Sequence, residues 1–128
     1  MIKVFTPLDI EFLNYKTQLK KMYELSQDKI HDTNSFEFII NNTLFYCFID
    51  ENGVLLGAIY FFLDEEEKLF MNAYAGRGHH KENLECVKLS ITWFNCDIYA
   101  QAQNKASALC LLRCGFEREK DNIFVYRK

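Results

Sequence analysis

Residues Cys96 to Phe116, CDIYAQAQNKASALCLLRCGF, change hydrophobic period midway, and the rest of the chain is read outward from that change. From Cys96 to Ala102, the apolar residues Ile98, Ala100 and Ala102 share one parity while Asp97, Tyr99 and Gln101 take the other, which is the period of a strand. Asn104 then supplies a helix N-cap, and Ala108, Leu109, Leu111 and Leu112 follow at helical spacing. Gly115 ends that helix, because a residue without a Cβ adopts the left-handed C-terminal conformation at little cost. Phe116 returns the chain to apolar surroundings.

Upstream, Lys81 to Phe94 reads as a helix, preceded by a strand from Leu69 to Tyr74. Two further strands, Leu44 to Ile49 and Val54 to Leu63, flank Asp50-Glu51-Asn52-Gly53, where the Asn-Gly pair predicts a hairpin because both residues tolerate positive φ. Asp64 to Lys68 forms the next hairpin turn. Met1 to Phe5 is a short strand stopped at Thr6-Pro7. Leu8 to about Gln27 reads as a helix whose apolar face holds Ile10, Leu13, Leu19, Met22, Tyr23 and Leu25, with a polar loop, SQDKIHDTNS, at its exit. Phe36, Phe38, Ile39 and Ile40 make a short helix capped by Asn34 or Ser35, and two last strands flank a turn at Lys120 to Asn122. The order is therefore β, α, α, β, β, β, α, β, α, β, β.

At 128 residues, 49% of them apolar, the chain fits one domain, residues 1 to 128, around a single core. A formal charge of -3 argues against general nucleic-acid binding, which needs clustered Lys and Arg. No apolar run approaches the roughly 20 residues of a membrane span. The start, MIKVFTPLDIEFL, has acids where a signal peptide has its apolar core, so a cytoplasmic location is expected. Five cysteines, at 47, 86, 96, 110 and 114, read as free buried thiols. Cys110 and Cys114 lie one helical turn apart and could join His79 and His80 around zinc, but no second pair has the short spacing of a zinc site, so no metal is expected.

The strand, the Asn, the small residue three places on and the Gly-Phe pair at the eleventh and twelfth places, here Asn104, Ser107, Gly115 and Phe116, resemble the late part of the GNAT superfamily, the Gcn5-related N-acetyltransferases. The element order extends the resemblance over nearly the whole chain. It implies an α+β fold with a mixed, mostly antiparallel sheet and helices on both faces. It also implies that the fourth and fifth strands splay and that the pantetheine arm of acetyl-CoA pairs with the fourth at Asn72, Ala73 and Tyr74. Asn104, at the head of the last helix, belongs to the same implied cofactor site. The pyrophosphate would lie on Gly76-Arg77-Gly78-His79-His80-Lys81 at the start of the third helix, whose free N–H groups favour an anion. The first two helices would wall the acceptor site, making His31 and Asp32 candidates for acceptor contact.

The resemblance is incomplete. Aligning the family's phosphate-loop pattern to Arg77 puts His80 and Glu82 where small residues belong, and the same stretch also reads as an ordinary strand-to-helix turn with a solvated basic tip. Leu111 stands where many members carry the Tyr that protonates the leaving thiolate. Tyr99, Ser107 and Cys114 are weak substitutes, each of which also reads as ordinary packing. Transfer of an acetyl group to an amine, small or on a protein, is the first expectation. Its rival is a catalytically silent GNAT-like binding or structural protein, as in small phage-encoded proteins that assemble virions or inhibit the host. Abundant aromatic residues, twelve Phe and seven Tyr, make a homodimer or protein-partner surface a further expectation.

Overall fold

The strands expected from alternating residues form one seven-stranded sheet, in a computed structural model that describes every residue except Arg77 and, at His80, the backbone alone. In chain order the elements are β1 (Lys3–Phe5), α1 (Lys16–Ile30), α2 (Phe36–Asn42), β2 (Leu44–Ile49), β3 (Leu55–Leu63), β4 (Leu69–Ala75), α3 (His80–Ser90), β5 (Ile98–Gln101), α4 (Lys105–Arg113), β6 (Glu117–Lys120) and β7 (Ile123–Tyr126). Across the sheet they run β1-β2-β3-β4-β5-β7-β6. Every pairing is antiparallel except β4 with β5, which the α3 crossover makes parallel. No described helix is long and apolar enough to cross a membrane.

Alternation along β3 divides the interior in two. Ala58 and Tyr60 face α1 and α2, where they meet Leu19, Tyr23, Phe36 and Ile39. Ile59 and Phe61 face α3 and α4, where they join Cys86, Val87, Ile91 and Leu111. Helices thus cover both faces, as the α+β reading requires.

The N-terminal helix differs from its expected form. Ile10–Asn14 is a 3-10 turn, the chain breaks at Tyr15, and α1 begins only at Lys16. Ile10, Leu13 and Leu25, expected on the apolar face, are 78%, 68% and 78% exposed. Phe12 takes the inward place and meets Phe45 edge-on with ring centroids 6.1 Å apart. An aromatic ring buries more area than an aliphatic side chain, and the 3-10 period lets Phe12 turn inward at the cost of its neighbours. At the other end α1 absorbs Ser26 to Ile30, which were expected as loop, and stops at His31 in the left-handed region (φ 50°).

Both hairpin turns are built alike. The Asp50 carboxylate accepts the N–H groups of Asn52 and Val54, at 2.8 and 2.9 Å, and Gly53 takes the positive φ. Asp64 accepts those of Glu66 and Lys68, and Glu67 takes the same place with φ 62°. The hairpin expected at Asp50 to Gly53 forms, with Gly53 and not Asn52 taking the positive φ, because the Asp50 side chain bridging two amides shapes the loop. In α4 the expected cap holds: Asn104 Oδ1 accepts Ser107 N–H at 2.9 Å while Ser107 Oγ accepts Asn104 N–H. Leu111 is buried, whereas Leu109 and Leu112 are about half exposed. Cys96, expected to be buried, is exposed.

Candidate functional site

Parallel pairing of β4 with β5 lasts for three residue pairs, Leu69–Ile98, Phe70–Tyr99 and Met71–Ala100. Beyond them β4 stays with β3 as far as Ala75, while Gln101 of β5 pairs with Ile123 of β7. The two strands therefore part at Asn72, and the main chain from Asn72 to Ala75 has a strand neighbour on one side only. Gly57 on β3 lets the end of β4 pack close: a Cβ there would lie 2.4 Å from the carbonyl oxygen of Tyr74. The N–H of Gly76 extends the attachment by bonding Leu56 O at 3.1 Å.

The mouth of the gap, on the α1 and α2 side, is a cleft of about 230 Å³. His31, Asp32 and Asn34 line it from the connection between α1 and α2, facing Phe62, Phe70 and Asn72 on the sheet. Gln101 and Gln103, at the exit of β5, close the remaining side. The expected acceptor candidates His31 and Asp32 are thus both at the cleft.

Side-chain hydrogen bonds hold that helical connection to the sheet. Tyr60 OH donates to Asp32 Oδ2 at 2.6 Å and accepts from Asn72 Nδ2 at 3.1 Å. Asp32 Oδ1 accepts both the backbone and side-chain N–H of Asn34 at 2.9 Å. Tyr23 OH donates to Asn34 O at 2.7 Å, and Gln27 Nε2 donates to the carbonyls of Asp32 and Asn34. Burial first, and the Asp32 carboxylate second, push the Tyr60 phenol far above its ordinary range, so it remains a donor throughout the physiological pH range. Burial likewise raises the Tyr23 phenol, to about 12. Ordered polar groups of this kind fix a wall in place, since each would cost free energy if left unpaired.

The turn from β4 to α3 is held differently. Gly78 has φ +86°, and a Cβ built on it meets nothing within 4 Å. His79 caps α3 with no side-chain hydrogen bond, so among the described residues the first N–H groups of the helix have no side-chain cap. Lys81 is exposed beside it, and Glu82 follows in the first turn. The expected contributions of Arg77 and of the His80 side chain lie outside the described residues. Ala73 N–H is met by Asn72 Oδ1 at 3.1 Å, and Asn104 serves as a helix cap.

None of the weak catalytic candidates is itself among the residues lining the cleft, though Tyr99 and Ser107 touch lining residues. Tyr99 stacks at a tilt on Phe70, centroids 5.6 Å apart, with the Lys68 ammonium over its ring. Ser107 Oγ is engaged in the helix cap. Cys114 is buried with its sulfur 4.0 Å from Leu84 O, and its hydrogen bond with Cys110, followed by burial, raises its thiol well above the usual range. Among the described residues no three His, Cys, Asp or Glu gather as a metal site. Sequence reasoning missed Gly57, Tyr60, Gln101 and Gln103. The isolated Gly inside an apolar strand was the one available signal; the others depend on which strands become neighbours.

This divergence in a seven-stranded sheet, with helices on both faces, defines the GNAT fold. Solved structures agree. An N-acetyltransferase from Staphylococcus aureus Mu50 superposes with a TM-score of 0.72 at 14% identity, covering 99% of this chain and 97% of the other. Ribosomal-protein-S5-alanine acetyltransferase from Vibrio fischeri gives 0.65 at 12%, covering 99% and 91%. A GNAT superfamily phosphinothricin acetyltransferase from Sinorhizobium meliloti, solved with AcCoA, gives 0.62 at 15%, covering 93% and 76%. No family model and no curated protein matches the sequence.

Proposed function

We propose that the chain is an acetyl-CoA-dependent N-acetyltransferase acting on an amine, either a small molecule or a group on a protein. The observation that carries this is the parting of β4 and β5 at Asn72 with a polar-rimmed cleft at its mouth. The residues present fit the cofactor. Asn72, Ala73 and Tyr74 lie where β4 has no strand neighbour on one side, the Ala73 N–H being met there by the Asn72 side chain that a ligand would displace, and Gly78 and the start of α3 offer an open glycine and a helix start without a side-chain cap for phosphates. When bound, acetyl-CoA supplies a thioester from which the acetyl group passes to the amine nitrogen, a C–N bond forming as the C–S bond breaks and the nitrogen's proton being released.

The chain's own part is binding and positioning. Asp32 attracts an ammonium group to the rim by charge. Phe62 and Phe70, stacked with centroids 6.0 Å apart, give the interior an apolar side on which the charged form is disfavoured. The nitrogen that reaches β4 is thereby the neutral, nucleophilic one. Leu111 carries no proton, and transfer then relies on orientation in place of a dedicated acid. The five free cysteines accord with a cytoplasmic setting.

Calorimetry with acetyl-CoA tests the reading. Micromolar binding that Arg77→Ala and Lys81→Glu weaken is expected, together with carried-over CoA in mass spectra of the purified protein. No heat at millimolar acetyl-CoA would return the chain to the silent-scaffold reading.

A further inference from the structure

Strand alternation decides which main-chain groups of β4 look into the gap. The Gly76 N–H bonds Leu56 O on β3, so Tyr74 and Asn72, two and four residues earlier, turn their main-chain groups toward β3 as well. Ala73 lies between them and turns its N–H and C=O the other way, into the gap. That N–H is met by Asn72 Oδ1 at 3.1 Å. The nitrogen of the same carboxamide, Nδ2, donates to Tyr60 OH at 3.1 Å and to Ile30 O at 3.4 Å. An N–H needs an acceptor and a carbonyl needs a donor, so these partners fix which end of the carboxamide is which. Asn72 lines the cleft and is only partly buried, so a ligand has access to the place it fills.

An N-substituted acetamide, the product of acetyl transfer to an amine, carries the same group: a carbonyl oxygen and an N–H nitrogen on one carbon. We infer that the Asn72 carboxamide is an internal stand-in for that product and marks the reaction centre, with the Ala73 N–H placed for the acyl oxygen and with Tyr60 OH and Ile30 O placed for the amine nitrogen once Asn72 turns aside. This rests on the acetyltransferase reading. It gives the end of α1 and Tyr60 the task of positioning the amine. A neutral primary amine has two N–H groups for those two acceptors and a lone pair left for the acyl carbon, so primary amines suit the place better than secondary ones. Asn72 competes with both ligands for their partners.

Calorimetry of acetyl-CoA and of CoA, each with the full chain and with Asn72→Ala, tests the carbonyl half, because CoA has no acyl oxygen. Removing the carboxamide should tighten acetyl-CoA roughly threefold to tenfold, the worth of one hydrogen bond freed from competition, and leave CoA unchanged. Asn72→Val, whose branched side chain suits a strand, repeats the test should the alanine variant fail to fold. The nitrogen half is read from melting temperatures without cofactor. Acetamide should raise that of Asn72→Ala relative to the wild type, and N,N-dimethylacetamide, which has no N–H, should not. An Asn72 with a merely structural role would, when removed, weaken acetyl-CoA and CoA together. Wild-type cofactor binding without a selective gain in the variants, or an equal effect of the two amides, overturns the inference and leaves the transferase reading standing. No heat from either cofactor, with the wild type or the variants, overturns both.

Discussion

The two walls of the gap are built on opposite principles. The wall from α1 and α2 is fastened by phenol, carboxylate and amide groups that reach the sheet across long stretches of sequence, Tyr60 to Asp32 being the shortest bond at 2.6 Å. The turn between β4 and α3 has an open glycine and a helix start without a side-chain cap. Preorganisation on one side and a helix start without a side-chain cap on the other suit the proposed reading, in which a fixed wall receives the amine and an anionic cofactor completes the second wall. The contrast also predicts where mutations will register as lost stability and where as lost binding.

The largest effect should come from the close approach of β4 to β3 beside the gap. Gly57→Ala forces a Cβ against the Tyr74 carbonyl and should cost about 3 kcal/mol in urea unfolding. A loss under about 0.5 kcal/mol would mean that β4 does not need that approach. Next comes the fastened wall: Tyr60→Phe deprives Asp32 of its donor and should cost about 2 kcal/mol while raising the KM for the amine. On the open wall the pattern should invert. Lys81→Ala should leave the unfolding free energy unchanged within about 0.5 kcal/mol yet weaken acetyl-CoA several-fold by calorimetry, since an exposed cation contributes little to folding. If stability and cofactor binding fell together there, the two walls would not differ in kind. Smallest is a control outside both walls. Glu67→Gly, at a left-handed position that its sister turn fills with Gly53, should raise stability by about 0.5 to 1 kcal/mol in the same urea assay.

What was legible in the sequence was local. The period change at Cys96 to Phe116, the Asn104 cap and the Gly115 stop depend on neighbours in the chain, and β5, α4 and the turn after it form where they were expected. The element order followed from such signals and carried the fold with it. The misread places are those where tertiary packing decided: Phe12 displaced Ile10 and Leu13 from the interior, and α1 ran on through a polar segment because Gln27 and Tyr23 secure its end to Asn34. The cleft was only half visible. His31 and Asp32 followed from resemblance, but Tyr60 lies 28 residues from Asp32, and no periodicity announces a phenol that will meet a carboxylate.

The short junction between β4 and β5 has a mechanical side as well. The sheet consists of an antiparallel meander, β1 to β4, and an antiparallel unit in the order β5-β7-β6, sewn together by three residue pairs. β1 and β7 lie in different units, so tension applied at the termini converges on that seam and on the α3-side packing behind it. Under load the molecule should tear there first, separating into two hairpin-rich halves before either half unravels.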